Sequence, residues 1–139
     1  MRLVIDTNIL ISALLAATSL PAQLVVIWRA GRFDLLTAVE QLDELARVTR
    51  YPKIRERLPP AVAGRLVNDL HALAIMVERL PVVDVSPDSG DNYLLALAAA
   101  GAADFLITGD KQHLLGLPTY QGTKIVTVRD FLALHGRQR

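Results

Sequence analysis

A chain of 139 residues is sized for one domain, residues 1–139, and is long enough to bury a sizeable core. It holds no cysteine, which excludes a disulfide framework and a thiolate metal site, so any metal must be held by oxygen or imidazole. A net charge of +1 and a pI near 8.2 neither demand nor exclude nucleic acid, and the segregation of the charges decides what they mean.

The chain opens on Leu3-Val4-Ile5, an unalternating apolar run that reads as a strand buried on both faces. Asp6 follows at its carboxyl end, the end that faces the ligand crevice of an open parallel sheet. In isolation, Asp6, Thr7 or Asn8 is more simply a cap for the helix begun by Ile9, Leu10 and Ile11 and running to Leu15. Thr18-Ser19-Leu20-Pro21 supplies a cap and a first-turn proline for a helix from about Pro21 to Ala30, ended by Gly31, and Asp34 to Thr37 reads as a second strand. A helix over Val39 to Thr49 has Leu42, Leu45, Ala46 and Val48 near the helical period, leaving Glu40, Asp43, Glu44 and Arg47 to be sorted between solvent and site.

Tyr51-Pro52 breaks that helix within the one segregated basic patch, where Arg47, Arg50, Lys53, Arg55 and Arg57 face a single acid, Glu56. Pro59-Pro60 opens a helix to about Ala74, and Met76 to Val85, interrupted by Pro81, reads as an edge strand or extended connector. After a loop at Ser86 to Gly90, Asp91 caps a helix over Asn92 to Ala100. Phe105 to Thr108 is a strongly apolar strand, and Gly109-Asp110 turns the chain at its end, echoing the first strand and Asp6. A short helix (Lys111 to Leu115), a loop (Gly116 to Gly122), a strand (Ile125 to Thr127) and a terminal helix (Arg129 to Leu134) complete the order. Strands alternating with helices argue a mostly parallel sheet covered on both faces.

Asp6, Glu44, Asp91 and Asp110 fall where such a sandwich would collect carboxylates at one end of its sheet. Crowded carboxylates raise each other's pKa unless a cation sits among them. Mg²⁺ or Mn²⁺ suits such oxygen ligands and assists phosphodiester hydrolysis. Each acid also has a plain reading: Glu44 on a solvated helix face, Asp91 as a cap, Asp110 in a tight turn. His71, His113 and His135 lack metal-ligand spacing and read as surface or core-edge residues.

Four segments taken together resemble the PIN-domain family, and more narrowly the toxin component of toxin–antitoxin modules. They are Val4 to Leu10, Glu40 to Leu45 running into Arg50-Tyr51-Pro52-Lys53-Ile54, Asp91 to Ala98, and Leu106 to Asp110. The resemblance implies a PIN-like three-layer α/β/α sandwich with a central mostly parallel sheet. It implies an endoribonuclease dependent on Mg²⁺ or Mn²⁺ that cuts single-stranded RNA, forms a homodimer and is silenced by a cognate antitoxin protein. The family's acidic quartet carries over to Asp6, Glu44, Asp91 and Asp110 as catalytic and metal-binding residues, with Asn8 and Thr108 in support. This chain departs from the family's Asp-Pro-Asp-Asp-Asn by reading Ser86-Pro87-Asp88-Ser89-Gly90-Asp91-Asn92, which leaves Asp88 without an assigned role.

The basic stretch then acquires a use: Arg47, Arg50 and Lys53 would grip phosphates while Tyr51 stacks on an unpaired base. A solvated turn with cations at a helix end accounts for it equally well. Two other functions compete. A haloacid dehalogenase-type phosphatase needs an acid two residues after the first Asp, where this chain has Asn8. A silent RNA- or protein-binding module would keep the fold and use its acids as caps. The hydrophobic fraction of 52% and mean hydropathy of +0.33 leave apolar surface for a partner. No apolar stretch approaches the roughly 20 residues of a membrane span, and no basic leader precedes a cleavable apolar core, so a cytoplasmic chain is expected.

Overall fold

The first strand, β1 (Arg2–Ile5), is the centre of the sheet around which the remaining elements are placed. A computed structural model of the chain describes residues 1–86, 89–109, 114 and 116–135. In chain order β1 is followed by α1 (Thr7–Leu15), α2 (Leu20–Arg29), β2 (Asp34–Thr37), α3 (Val39–Val48), α4 (Pro52–Arg55), α5 (Pro60–Leu73) and β3 (Ile75–Met76). Then come α6 (Ser89–Ala100), β4 (Phe105–Ile107), β5 (Thr119–Tyr120), β6 (Thr123–Val126) and α7 (Val128–His135).

Among the described residues six strands lie in the order β3-β2-β1-β4-β6-β5, all parallel except β5, which runs antiparallel to β6. Period-two alternation divides each strand between two apolar layers. Leu3, Ile5, Leu35, Phe105 and Ile107 pack on one face with residues of α1, α2, α3, α5 and α7, including Leu10, Trp28, Leu45, Leu66 and Phe131. Val4, Leu36, Leu106 and Ile125 pack on the other with Leu94, Leu95, Leu97 and Ala98 of α6. This is the expected three-layer α/β/α sandwich. The end of α6 comes so close to β2 that a Cβ at Gly101 would collide with the side chain of Leu36. Phe131 of α7 meets Phe33 and Phe105 edge-on, at 6.0 and 5.4 Å between ring centroids, and His135 stacks on it as a core-edge residue.

Several expectations need correction. Pro52 ends α3 but also sits in the first turn of the short helix α4, because its fixed φ suits a helix start. The strand after α5 starts one residue earlier and is only Ile75–Met76; Val77 still donates its amide to the Thr37 carbonyl at 2.8 Å, and the described residues beyond it, with Pro81 among them, form the extended connector that the sequence also allowed. The segment before β6 is a hairpin and not a loop: Gln121 and Gly122 take φ of 47° and 87°, the paired left-handed residues of a tight hairpin turn. Helix α6 begins at Ser89, so Asp91 lies inside its first turn instead of capping it. The short helix expected over Lys111 to Leu115 falls outside the described residues, apart from Leu114. Among the described residues no single helix is long and apolar enough to cross a membrane.

Candidate functional site

The chain leaves β1 toward β2 on one side and returns to β4 on the other, so the carboxyl ends of β1 and β4 flank the point where an open α/β sheet has its crevice. Asp6 stands there, only 7% exposed. Its Oδ1 accepts the Asn8 amide at 3.1 Å, capping α1, while its Oδ2 accepts the Thr108 hydroxyl at 2.8 Å from the end of β4. Asp6 is therefore the cap of α1 while standing at the carboxyl end of the central strand. Capping alone does not account for it, because a neutral Ser or Asn caps a helix as well, and a carboxylate costs far more to bury.

Asp91, 6% exposed, occupies the first turn of α6, where the helix dipole favours negative charge, and its Oδ2 accepts the Ser86 hydroxyl at 3.2 Å. The neighbouring Asn92 ties down the preceding chain. Its Oδ1 accepts the amides of Val85 and Ser86 at 3.1 and 2.8 Å, and its Nδ2 donates to the Ser86 carbonyl at 2.9 Å. Glu44 comes from α3, half-buried, with Oε1 accepting the Tyr93 hydroxyl at 2.6 Å and Oε2 lying 3.9 Å from the Arg47 guanidinium. Tyr93 also meets the Thr7 hydroxyl at 2.9 Å, so its oxygen joins Glu44 to the residue beside Asp6. Burial, reinforced by the bond to Glu44 and by the negative charges of Glu44 and Asp6, pushes the Tyr93 phenol far above its ordinary value and keeps its proton in place.

Behind this group lies Gln41, a residue with no role in the sequence-based reading. It is fully buried: its Nε2 donates to the Ile5 carbonyl at 2.7 Å and to Thr7 Oγ1 at 3.4 Å, and its Oε1 accepts the Thr37 hydroxyl at 2.7 Å. The amide orientation is fixed by these partners, since the reverse would set two carbonyl oxygens face to face. A signal for Gln41 existed: it falls on the same helical stripe as Leu42 and Leu45, where a polar residue is buried and must be satisfied. Tyr93 carried a weaker one, as the residue two beyond Asp91.

The fold thus brings Asp6, Thr108 and the Asn8 amide together, and joins Glu44 to them through Tyr93 and Thr7. The Asn8 side chain itself is exposed. Asp110 and Asp88 lie outside the described residues. Among the described residues no three acidic or histidine side chains converge closely enough to hold a metal ion. The all-oxygen donors Asp6 and Asp91 match a hard divalent cation in chemistry, and with Asp6, Glu44 and Asp91 alone that set is not closed. Arg47, Arg50, Tyr51 and Lys53 are all exposed. Beside Tyr93 a hollow of about 490 Å³ is lined by Glu40, Leu80, Val83, Asp84, Asn92 and Ala96 among others.

No curated protein and no solved structure matches the chain. A PIN-domain profile matches residues 2–112, which include β1, α3, α6 and β4 and every side chain of the cluster just described. PIN domains are in general nucleases, hydrolases of phosphodiester bonds, and are typically dependent on divalent metal. Buried carboxylates at the crevice of a parallel sheet suit that chemistry, and with the profile covering most of its length the chain belongs to the PIN-domain family.

Proposed function

We propose that the chain is an endoribonuclease that hydrolyses phosphodiester bonds in single-stranded RNA with Mg²⁺ or Mn²⁺, acting as the toxin of a toxin–antitoxin pair. The observation that carries the nuclease reading is Asp6, a carboxylate 7% exposed at the end of the central strand, with one oxygen held by Thr108 and the other by the Asn8 amide. In this reading Asp6, Asp91 and Asp110 hold the cation, directly or through water, and Glu44 helps hold it or orients the attacking water. When bound, the ion makes a water nucleophilic at neutral pH and offsets charge on the phosphate. Thr108, the Asn8 amide and Ser86 keep the acidic oxygens aimed, as outer partners of a metal site do.

The water oxygen bonds to phosphorus as one of its protons is released to solvent, the ester bond to the departing ribose oxygen breaks, and that oxygen takes up a proton from solvent. Arg47, Arg50 and Lys53 hold the flanking phosphates and Tyr51 stacks on an unpaired base. The toxin assignment, with a cognate antitoxin and a homodimer in the cytoplasm, rests on the resemblance of the four segments. The capping role of Asp6 favours one other reading, a silent PIN-like module in which the acids only cap helices.

Purified protein incubated with single-stranded RNA separates the two. A nuclease of this kind cleaves with Mn²⁺, stops on chelation, and loses at least about 100-fold in D6N, which keeps the cap but not the charge. Cleavage that survives chelation, or D6N as active as wild type, would reject it.

A further inference from the structure

We propose that Tyr93 is a positioning residue whose hydroxyl holds Glu44 outside direct contact with the cation, as the carboxylate that orients the attacking water. This rests on the nuclease reading and narrows it, because Glu44 there could serve either role. The geometry allows only one arrangement of protons. Tyr93 has one hydroxyl hydrogen and gives it to Glu44 Oε1 at 2.6 Å, so the 2.9 Å contact with Thr7 must be filled by the Thr7 hydrogen. Thr7 in turn accepts from Gln41, whose second N–H is fixed on the Ile5 carbonyl and whose oxygen is fixed by Thr37. A one-way chain of donors therefore runs from Thr37 at the end of β2 through Gln41, Thr7 and Tyr93 to a single oxygen of Glu44, with Gln41 anchored by its second N–H on the Ile5 carbonyl.

The consequence is a division between the two oxygens of that carboxylate. Oε1 is taken up by a short bond from the Tyr93 hydroxyl. Oε2 meets the Arg47 guanidinium only at 3.9 Å, beyond hydrogen-bond length, and Arg47 itself is exposed. It is the oxygen placed to accept from a substrate water. A direct contact of Oε2 with the cation would leave the Tyr93 bond intact, so the Mn²⁺ affinity of E44Q separates the two roles. In keeping with the water-orienting role, Asp6, Glu44 and Asp91 do not form an ion-holding triple among the described residues.

Four forms of the full-length chain test this: wild type, Y93F, E44Q and the double variant, with D6N as the reference for a lost ligand. Y93F is expected to lower kcat by about 10- to 100-fold, the cost of losing an outer partner, with KM for RNA unchanged within about 3-fold. The double variant should be no slower than E44Q alone, since both changes remove one device. Calorimetric titration with Mn²⁺ supplies a readout apart from activity. Affinity in Y93F and E44Q should stay within about 3-fold of wild type while D6N loses about 10-fold or more. Y93F cleaving RNA at the wild-type rate, or losing Mn²⁺ affinity as D6N does, overturns the proposal alone. A wild-type chain that never cleaves RNA overturns the nuclease reading and this proposal together.

Discussion

Two charged regions of this molecule are built in opposite ways. At the carboxyl ends of β1 and β4 the polar groups are few and buried or half-buried, and they are linked through Thr108, Thr7, Tyr93 and Gln41, so the carboxylates of Asp6 and Glu44 each have a defined direction. At the junction of α3, α4 and α5, Arg50, Lys53, Arg55 and Arg57 stand exposed, and none has a carboxylate within ion-pair distance among the described residues. Arg50 and Arg55 there line a shallow hollow of about 170 Å³ with Thr49, Pro60, Ala63 and Gly64. Buried polar groups need their partners and gain precise geometry from them, whereas solvated cations act as a field that any polyanion can use. Chemistry belongs to the first kind of region and non-specific grip to the second.

If that contrast is right, removing a single link should be costly in one region and nearly silent in the other. The larger effect falls on Gln41. Q41L leaves the Ile5 carbonyl and the Thr37 and Thr7 hydroxyls short of partners in the interior, and should lower unfolding free energy by about 2–4 kcal/mol in urea. A midpoint and slope equal to wild type would mean the buried chain is not a rigid frame. The smaller effect falls on the basic junction. R50A/K53A should leave stability within about 0.5 kcal/mol and make the slope of log affinity for single-stranded RNA against log salt shallower by about 0.7 for every phosphate that is no longer neutralised. An unchanged slope would make the patch a solvated turn.

The same contrast explains how far the sequence could be read. The unbroken apolar runs Leu3-Val4-Ile5 and Phe105-Leu106-Ile107 mark strands buried on both faces, and the layers of helix that cover them follow from that. Asp6 and Asp91 are visible as candidates because each adjoins an apolar element. What was not legible depended on contacts between distant residues. The Tyr93–Glu44 bond spans 49 residues and the Thr108–Asp6 bond 102, and neither partner's neighbours announce the other. Gln41 is hidden for a different reason: a polar residue on an apolar stripe shows that something must satisfy it, but the stripe does not say what. The hairpin at Gln121-Gly122 escapes a sequence reading because its strands are only two and four residues long, too short for period two to show.

The most direct test of the central claim is a crystal of the full chain soaked in MnCl₂ and measured by anomalous scattering. Manganese is predicted at the carboxyl ends of β1 and β4, with oxygens of Asp6 and Asp91 reaching it directly or through one water and Glu44 Oε1 still on the Tyr93 hydroxyl. Manganese bound away from Asp6 and Asp91, or none at saturating concentration, would contradict it.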